Sequence, residues 1–130
     1  MTDRAPGAGA AHVLIVDDNE DVVEGMKIVM ESAGHDVSVA LTVSEAVSVA
    51  LSRPVDVMLL DLTLPDGDGL DVLRRLELTD RLPTHVIALT GREAAEVREQ
   101  CVAVGCGEIM VKPVPIREIL QRVSELVGVR

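Results

Sequence analysis

The stretch Val55-Asp-Val-Met-Leu-Leu-Asp61-Leu-Thr-Leu-Pro65 decides the fold. Five of the six residues before Asp61 are apolar, and the run is too short for a helix. Such a run reads as a strand buried on both faces, the kind found at the centre of a parallel sheet. A carboxylate where that strand ends, followed by Pro65, Gly67 and Gly69, stands at the mouth of a sheet and outside its core. Open α/β sheets bind ligands at the carboxyl ends of their strands. The functional residues are therefore those that converge on Asp61.

Upstream, Val13-Leu-Ile-Val16 is a second continuous apolar strand, and it stops at Asp17-Asp18-Asn19, where an Asp or Asn can cap a helix. In that helix Val22, Met26, Val29, Met30 and Ala33 recur at helical spacing, and Gly34 ends it. Val37 to Ala40 is a short strand; Ser44 then opens a helix with Val47, Ala50 and Leu51 facing inward, before Pro54. Downstream, Leu70, Leu73 and Leu76 mark a short helix. Val86-Ile-Ala-Leu89 is a strand ending at Thr90-Gly91, and Ala94, Val97, Cys101 and Val104 share one helix face. Ile109-Met-Val111 is the last strand and ends at Lys112-Pro113, and Ile116, Ile119, Leu120, Val123 and Leu126 form the stripe of a final helix. Five β-α repeats with short loops predict a three-layer α/β/α domain over residues 12–128, with a parallel sheet covered on both faces.

Composition narrows the function. The chain of 130 residues has no Phe, Tyr or Trp, which removes stacking platforms for bases or flavin rings. A formal net charge of −10 repels nucleic acid and anionic membrane, so direct DNA binding is not expected, whereas a divalent cation would be welcome. Cys101 and Cys106 suggest reduced thiols of a cytoplasmic protein and no disulfide framework. No apolar run is long enough to insert in a membrane. Residues 1–11, rich in Ala and Gly, resemble a flexible tail without the apolar core of a signal peptide.

Four of the five strands end on a polar functional group: Asp17/Asp18, Asp61, Thr90 and Lys112. The remaining strand ends on Ala40-Leu41, which suits a sheet edge away from the site. Three carboxylates brought together would protonate or separate unless a cation held them. Oxygen ligands without His or Cys point to Mg²⁺ or Mn²⁺. With Lys112 as a point charge and Thr90 as a hydroxyl donor, the set suits forming and breaking an acyl phosphate on Asp61.

The span from His12 to Gly128 resembles the receiver domain of two-component response regulators. The motifs are VLIVDD at the first strand end, LLDLTLPDGDGL around the third, ALTG at the fourth and VKP at the fifth. The resemblance implies a flavodoxin-like strand order of 2-1-3-4-5 with five helices. It implies that Asp61 accepts a phosphoryl group from the phosphohistidine of a histidine kinase, or exchanges it with a histidine phosphotransfer protein. Asp18 would hold the metal directly and Asp17 through water, with Asp61 and the Thr63 backbone carbonyl completing the protein ligands. Thr63, Gly91 and Lys112 would contact the phosphoryl group, and Thr90 would swing as the switch. The Lys112-Pro113 bond would be cis. Thr63 and Arg92 would tune dephosphorylation.

One departure stands out. The family usually has Tyr or Phe three residues before the lysine, and this chain has Ile109. The signal would then travel through the loop between the fourth strand and the fourth helix to a partner surface on helix 4, strand 5 and helix 5. No output domain is expected after the last helix, so a downstream protein target would read the switch. The chain is expected to be a phosphoacceptor with self-catalysed transfer and autodephosphorylation and not a dedicated enzyme. An aspartyl-phosphate hydrolase would need an acid where Thr63 stands, and an FMN protein would need a hydroxyl-rich loop in place of Asp17-Asp18. The alternative reading, motivated by Ile109, is a receiver-fold scaffold or interaction module that phosphorylation does not regulate. Asp66, Asp68 and Asp71 read as a solvated acidic loop, and His12, His35 and His85 as incidental.

Overall fold

The computed structural model describes residues 11–91 and 94–128, the side chains of 94–96 excepted. The expected tail lies outside the described residues apart from Ala11. That residue is buried, and its carbonyl accepts the Asp36 N–H at 2.8 Å, so it is already part of the fold. Arg92 also lies outside the described residues.

The elements in chain order are β1 (His12–Val16), α1 (Glu20–Ser32), β2 (Asp36–Ala40), α2 (Val43–Ser52), β3 (Val57–Asp61), β4 (Thr63–Leu64), β5 (Gly67–Asp68), α3 (Leu70–Leu78), β6 (His85–Thr90), α4 (Ala94–Ala103), β7 (Glu108–Val111) and α5 (Ile116–Val127). Five strands form one parallel sheet in the order β2-β1-β3-β6-β7. With the small β4-β5 hairpin set aside, this is the expected order 2-1-3-4-5. β2, the strand without a polar end, lies at the sheet's edge.

The strands are apolar throughout because each face meets a helix layer. Leu14, Val16, Met58, Leu60, Val86 and Ala88 point into a core closed by α2, α3 and α4. Val13, Ile15, Val57, Leu59, Ile87 and Leu89 point the other way, against α1 and α5. All five residues of β3 are buried. Each large aliphatic side chain fully withdrawn from water contributes about 1.5–3 kcal/mol, and with no aromatics this aliphatic set carries the core.

Two helix faces differ from expectation. In α1 the buried seam is Val23, Met26 and Met30, whereas Val22 and Ala33 are exposed. The apolar pair Val22-Val23 allows either phase, and Val22 lines a surface cleft instead. In α2 Thr42 is the N-cap, so the helix begins at Val43, one residue earlier than expected. Val43 and Ala46 join Ala50 inside, and Leu51 is exposed. His12 is not incidental: buried in β1, its Nδ1 donates to the Pro54 carbonyl at 2.7 Å and its Nε2 meets Ser38 Oγ at 2.8 Å. It ties β1 to β2 and to the segment entering β3.

Gly69 closes the loop after β3. A β-carbon there would lie 2.3 Å from the Asp61 carbonyl oxygen and 2.8 Å from Leu62 Cα, both backbone atoms that cannot step aside. Gly25, within α1, would meet only Ile116 Cδ1 at 3.9 Å. In urea denaturation, Gly69→Ala is therefore expected to lose at least about 2 kcal/mol, whereas Gly25→Ala gains about 0.5–1 kcal/mol from helix propensity. Equal effects at the two positions would refute the packing argument.

Candidate functional site

The parallel register puts the strand ends in one row. Val16 pairs with Leu60, Asp61 with Leu89 and Thr90 with Val111, so Asp17, Asp61, Thr90 and Lys112 emerge along one edge. Asp17, Asp18 and Asp61 each offer a carboxylate oxygen, and these oxygens lie within 4.8 Å of one another. Asp17 and Asp61 are buried and Asp18 is exposed. Lys112 Nζ stands 3.3 Å from Asp61 Oδ1 and 3.8 Å from Asp17 Oδ2.

Local structure fixes each group. The Asn19 N–H donates to Asp17 Oδ1 at 2.9 Å, and Asn19 in turn caps α1 by accepting from the N–H groups of Asp21 and Val22. The Thr63 N–H donates to Asp61 Oδ1 at 3.0 Å. The Lys112 N–H donates to the Thr90 carbonyl at 2.7 Å, tying the end of β7 to the end of β6, and the Lys112-Pro113 bond is cis. Thr90 is buried, while Thr63 and Gly91 are exposed beside it at the same edge. Ile109 is half-buried beside Ala88, against the same core that holds Val97 and Cys101 of α4.

The carboxylates open onto a cleft of about 400 Å³, whose far wall is apolar: Val22, Met26, Pro113, Val114 and Ile119. Burial pushes the Asp17 carboxyl above its ordinary 3.8; the Asn19 N–H pulls it down, Asp61 pushes it up again and Lys112 opposes. Three carboxylates against one lysine leave the cluster with a surplus of formal negative charge. An oxygen-only donor set with surplus negative charge fits Mg²⁺ or Mn²⁺. Mg²⁺ usually keeps several waters beside one or two carboxylates, so the set suits a shell that includes water.

The sequence profile described as "Response regulator receiver domain" matches residues 13–124. The chain belongs to that family. Among curated relatives, this receiver is 33% identical over 115 residues to the transcriptional regulatory protein PhoP of Escherichia coli, covering 88% of this chain and 51% of that protein. It spans about half the length of the curated relatives it matches. Among solved structures it is similar to the receiver domain of Francisella response regulator 1452, with TM-score 0.82 and 28% identity over 91% of this chain and 97% of that one. It is also similar to the receiver domain of the sensor histidine kinase PA1611 from Pseudomonas aeruginosa, solved with a magnesium ion coordinated in its active-site cleft. There the TM-score is 0.76 at 27% identity, covering 92% of this chain and 98% of that chain. No helix among the described residues is long and apolar enough to cross a membrane.

Sequence reasoning missed the role of the acidic loop. Asp66 is not merely solvated: its carboxylate accepts the N–H groups of Val43 at 2.8 Å and Ser44 at 3.2 Å, at the start of α2. Asp68 accepts from the Leu70 N–H at 3.0 Å, and Asp71 pairs with Arg74 at 2.7 Å. A partner 22 or 23 residues upstream leaves no periodic signal.

The raised Asp17 pKa carries a sign. Above that pKa the ionised group destabilises the metal-free fold, and the penalty vanishes as pH falls below 3.8. Asp17→Asn, which retains an acceptor for Asn19, is expected to raise Tm in EDTA at neutral pH. Thermal melts of both proteins across pH should converge at the acid end; a neutral-pH Tm below wild type would contradict the cost of burying the ionised carboxylate.

Proposed function

We propose that this receiver is the phosphoacceptor of a two-component pathway, working in the cytoplasm, with Asp61 as the phosphorylated residue. The observation that carries the reading is the convergence of Asp17, Asp18 and Asp61 within 4.8 Å, with Lys112 3.3 Å from Asp61. The magnesium ion in the related PA1611 receiver supports the same cation here, held by Asp17, Asp18, Asp61 and the Thr63 carbonyl. A bound Mg²⁺ supplies positive charge against the phosphoryl oxygens and the clustered carboxylates.

The chain's residues do the rest. A histidine of a kinase or phosphotransfer protein reaches Asp61 along the cleft, whose wall of Val22, Pro113 and Val114 gives the partner an apolar seat. An Asp61 oxygen attacks phosphorus as the P–N bond breaks. The leaving nitrogen keeps that electron pair, and the proton on the other ring nitrogen leaves the imidazole neutral. Lys112, already within reach of Asp61, pairs with the phosphoryl oxygens, and the Gly91 N–H and Thr63 donate to them. Thr90 turns toward the new charge, and the loop into α4 follows it, altering the α4-β7-α5 face for a downstream protein. Hydrolysis by water attack on phosphorus returns the Asp61 carboxylate, at a rate tuned by Thr63 and Arg92.

The intact mass after incubation with acetyl phosphate and Mg²⁺ tests the chemistry. One phosphoryl adduct is expected for wild type, and none for Asp61→Asn or with EDTA. A persistent adduct in Asp61→Asn would move the acceptor elsewhere. Ile109 is the observation that favours the alternative, an interaction module indifferent to phosphorylation. Backbone NMR separates the two: the switch reading expects amide shifts at Gly91 and Val97 on phosphorylation, and unchanged shifts there would favour the module.

A further inference from the structure

The segment after Asp61 folds as a hairpin, with Thr63 paired to Asp68 and Leu64 to Gly67, and Pro65-Asp66 at its tip. Its base is fixed to the sheet: the Leu62 N–H donates to Leu89 O at 3.2 Å and the Gly69 N–H to Leu62 O at 3.0 Å. Its tip is fixed elsewhere. Asp66 accepts the N–H groups of Val43 and Ser44, two donors that the first turn of α2 cannot satisfy itself. The remaining donors of that turn are met locally, Glu45 N–H by Thr42 Oγ1 at 3.1 Å and Ala46 N–H by the Thr42 carbonyl at 3.0 Å. The positive end of the helix suits the carboxylate, and these N–H groups, Val43 foremost, hold the Asp66 carboxyl below its ordinary range. The hairpin is thus suspended between two anchors, and Thr63, whose N–H holds Asp61, lies on the strand between them.

We propose that Asp66 is a positioning residue for the phosphorylation site: by clamping the hairpin tip to α2 it holds Thr63 where its N–H orients Asp61 and its carbonyl faces the cation. Released at the tip, the hairpin pivots about Leu62 and Gly69 and takes Thr63 with it. The same clamp makes the start of α2 sensitive to cation binding, because coupling between two sites is reciprocal. The inference rests on the receiver reading of the site and adds a residue that touches neither phosphate nor metal.

Magnesium titration of the full chain, followed by backbone NMR, tests it with three variants. Asp66→Ala removes the clamp, and Asp66→Asn leaves one carbonyl acceptor. Thr42→Ala weakens the cap of the same helix without touching the hairpin. Asp66 is exposed, so its variants are expected to fold. Asp66→Ala should weaken Mg²⁺ binding at least threefold, toward the roughly tenfold loss seen when a group that orients a metal ligand is removed. Asp66→Asn should fall between, and Thr42→Ala should stay within about twofold of wild type. The Mg²⁺-induced shifts expected at Val43 and Ser44 in wild type should disappear in Asp66→Ala. Wild-type affinity in Asp66→Ala, or equal weakening by Thr42→Ala, would reduce Asp66 to an ordinary helix cap and overturn the proposal. A wild type without Mg²⁺ shifts at Asp17, Asp18 and Asp61 would remove the receiver chemistry and this inference together.

Discussion

Mutual repulsion of carboxylates at the carboxyl edge of the sheet is the constraint on which the site depends. The register of β1 against β3 brings Asp17 beside Asp61, and Asp18 follows on the same turn. Two unit charges about 4 Å apart at an effective dielectric near 20 repel by about 4 kcal/mol. The sheet imposes that load because the strands beneath are held by aliphatic burial on both faces. Sliding β1 by one residue to relieve it would also turn Leu14 and Val16 into the layer built for Val13 and Ile15. The core therefore fixes the charges, and the charges cannot rearrange the core.

Lys112 answers only part of that load. Its ammonium lies closer to Asp61 than to Asp17, and its side chain is 38% exposed, so its field is partly shared with water. Burial, with the Asp61 charge added to it, is why the Asp17 carboxyl is pushed up despite a lysine within 4 Å, and the surplus negative charge suits a divalent cation. A phosphoryl group on Asp61 would add to the load, which makes the cation and the lysine parts of one balance. In the proposed function neither would substitute for the other: the lysine reaches in from the end of β7, whereas the cation would sit among oxygens at the ends of β1 and β3 and from the hairpin.

The strands and the residues at their ends were legible in the sequence. A strand buried on both faces must be apolar without interruption, so VLIV and VMLL mark their own termini, and the first polar residue after each falls at the sheet's edge. Helix faces were less legible. Val22 and Val23 are both apolar, and periodicity cannot say which belongs inside; Val22 is left outside because the cleft between α1 and the Pro113 segment needs a wall. Leu51 is exposed for a related reason, since the buried stripe of α2 runs through Val43, Ala46 and Ala50 and leaves Leu51 off it. Interactions whose partners are far apart in the chain were not legible at all. His12 with Pro54, and Asp66 with Val43, are set by tertiary placement, and at the sequence level each is only a single polar residue.

Ile109 limits how a signal can leave the site. Thr90 is buried, so a movement of its side chain toward new charge opens a void that neighbouring atoms must fill. The ring of a Tyr or Phe could turn into that space about one bond, but the chain has no Phe, Tyr or Trp. Ile109 is branched at Cβ and stiff, and it packs against the core shared with Val97 and Cys101, so turning it would leave a second void in place of the first. Backbone is what remains to move. The Lys112 N–H bond to the Thr90 carbonyl ties the β7 side of that edge, so in the proposed switch the backbone that would give way is the one leading from β6 toward α4.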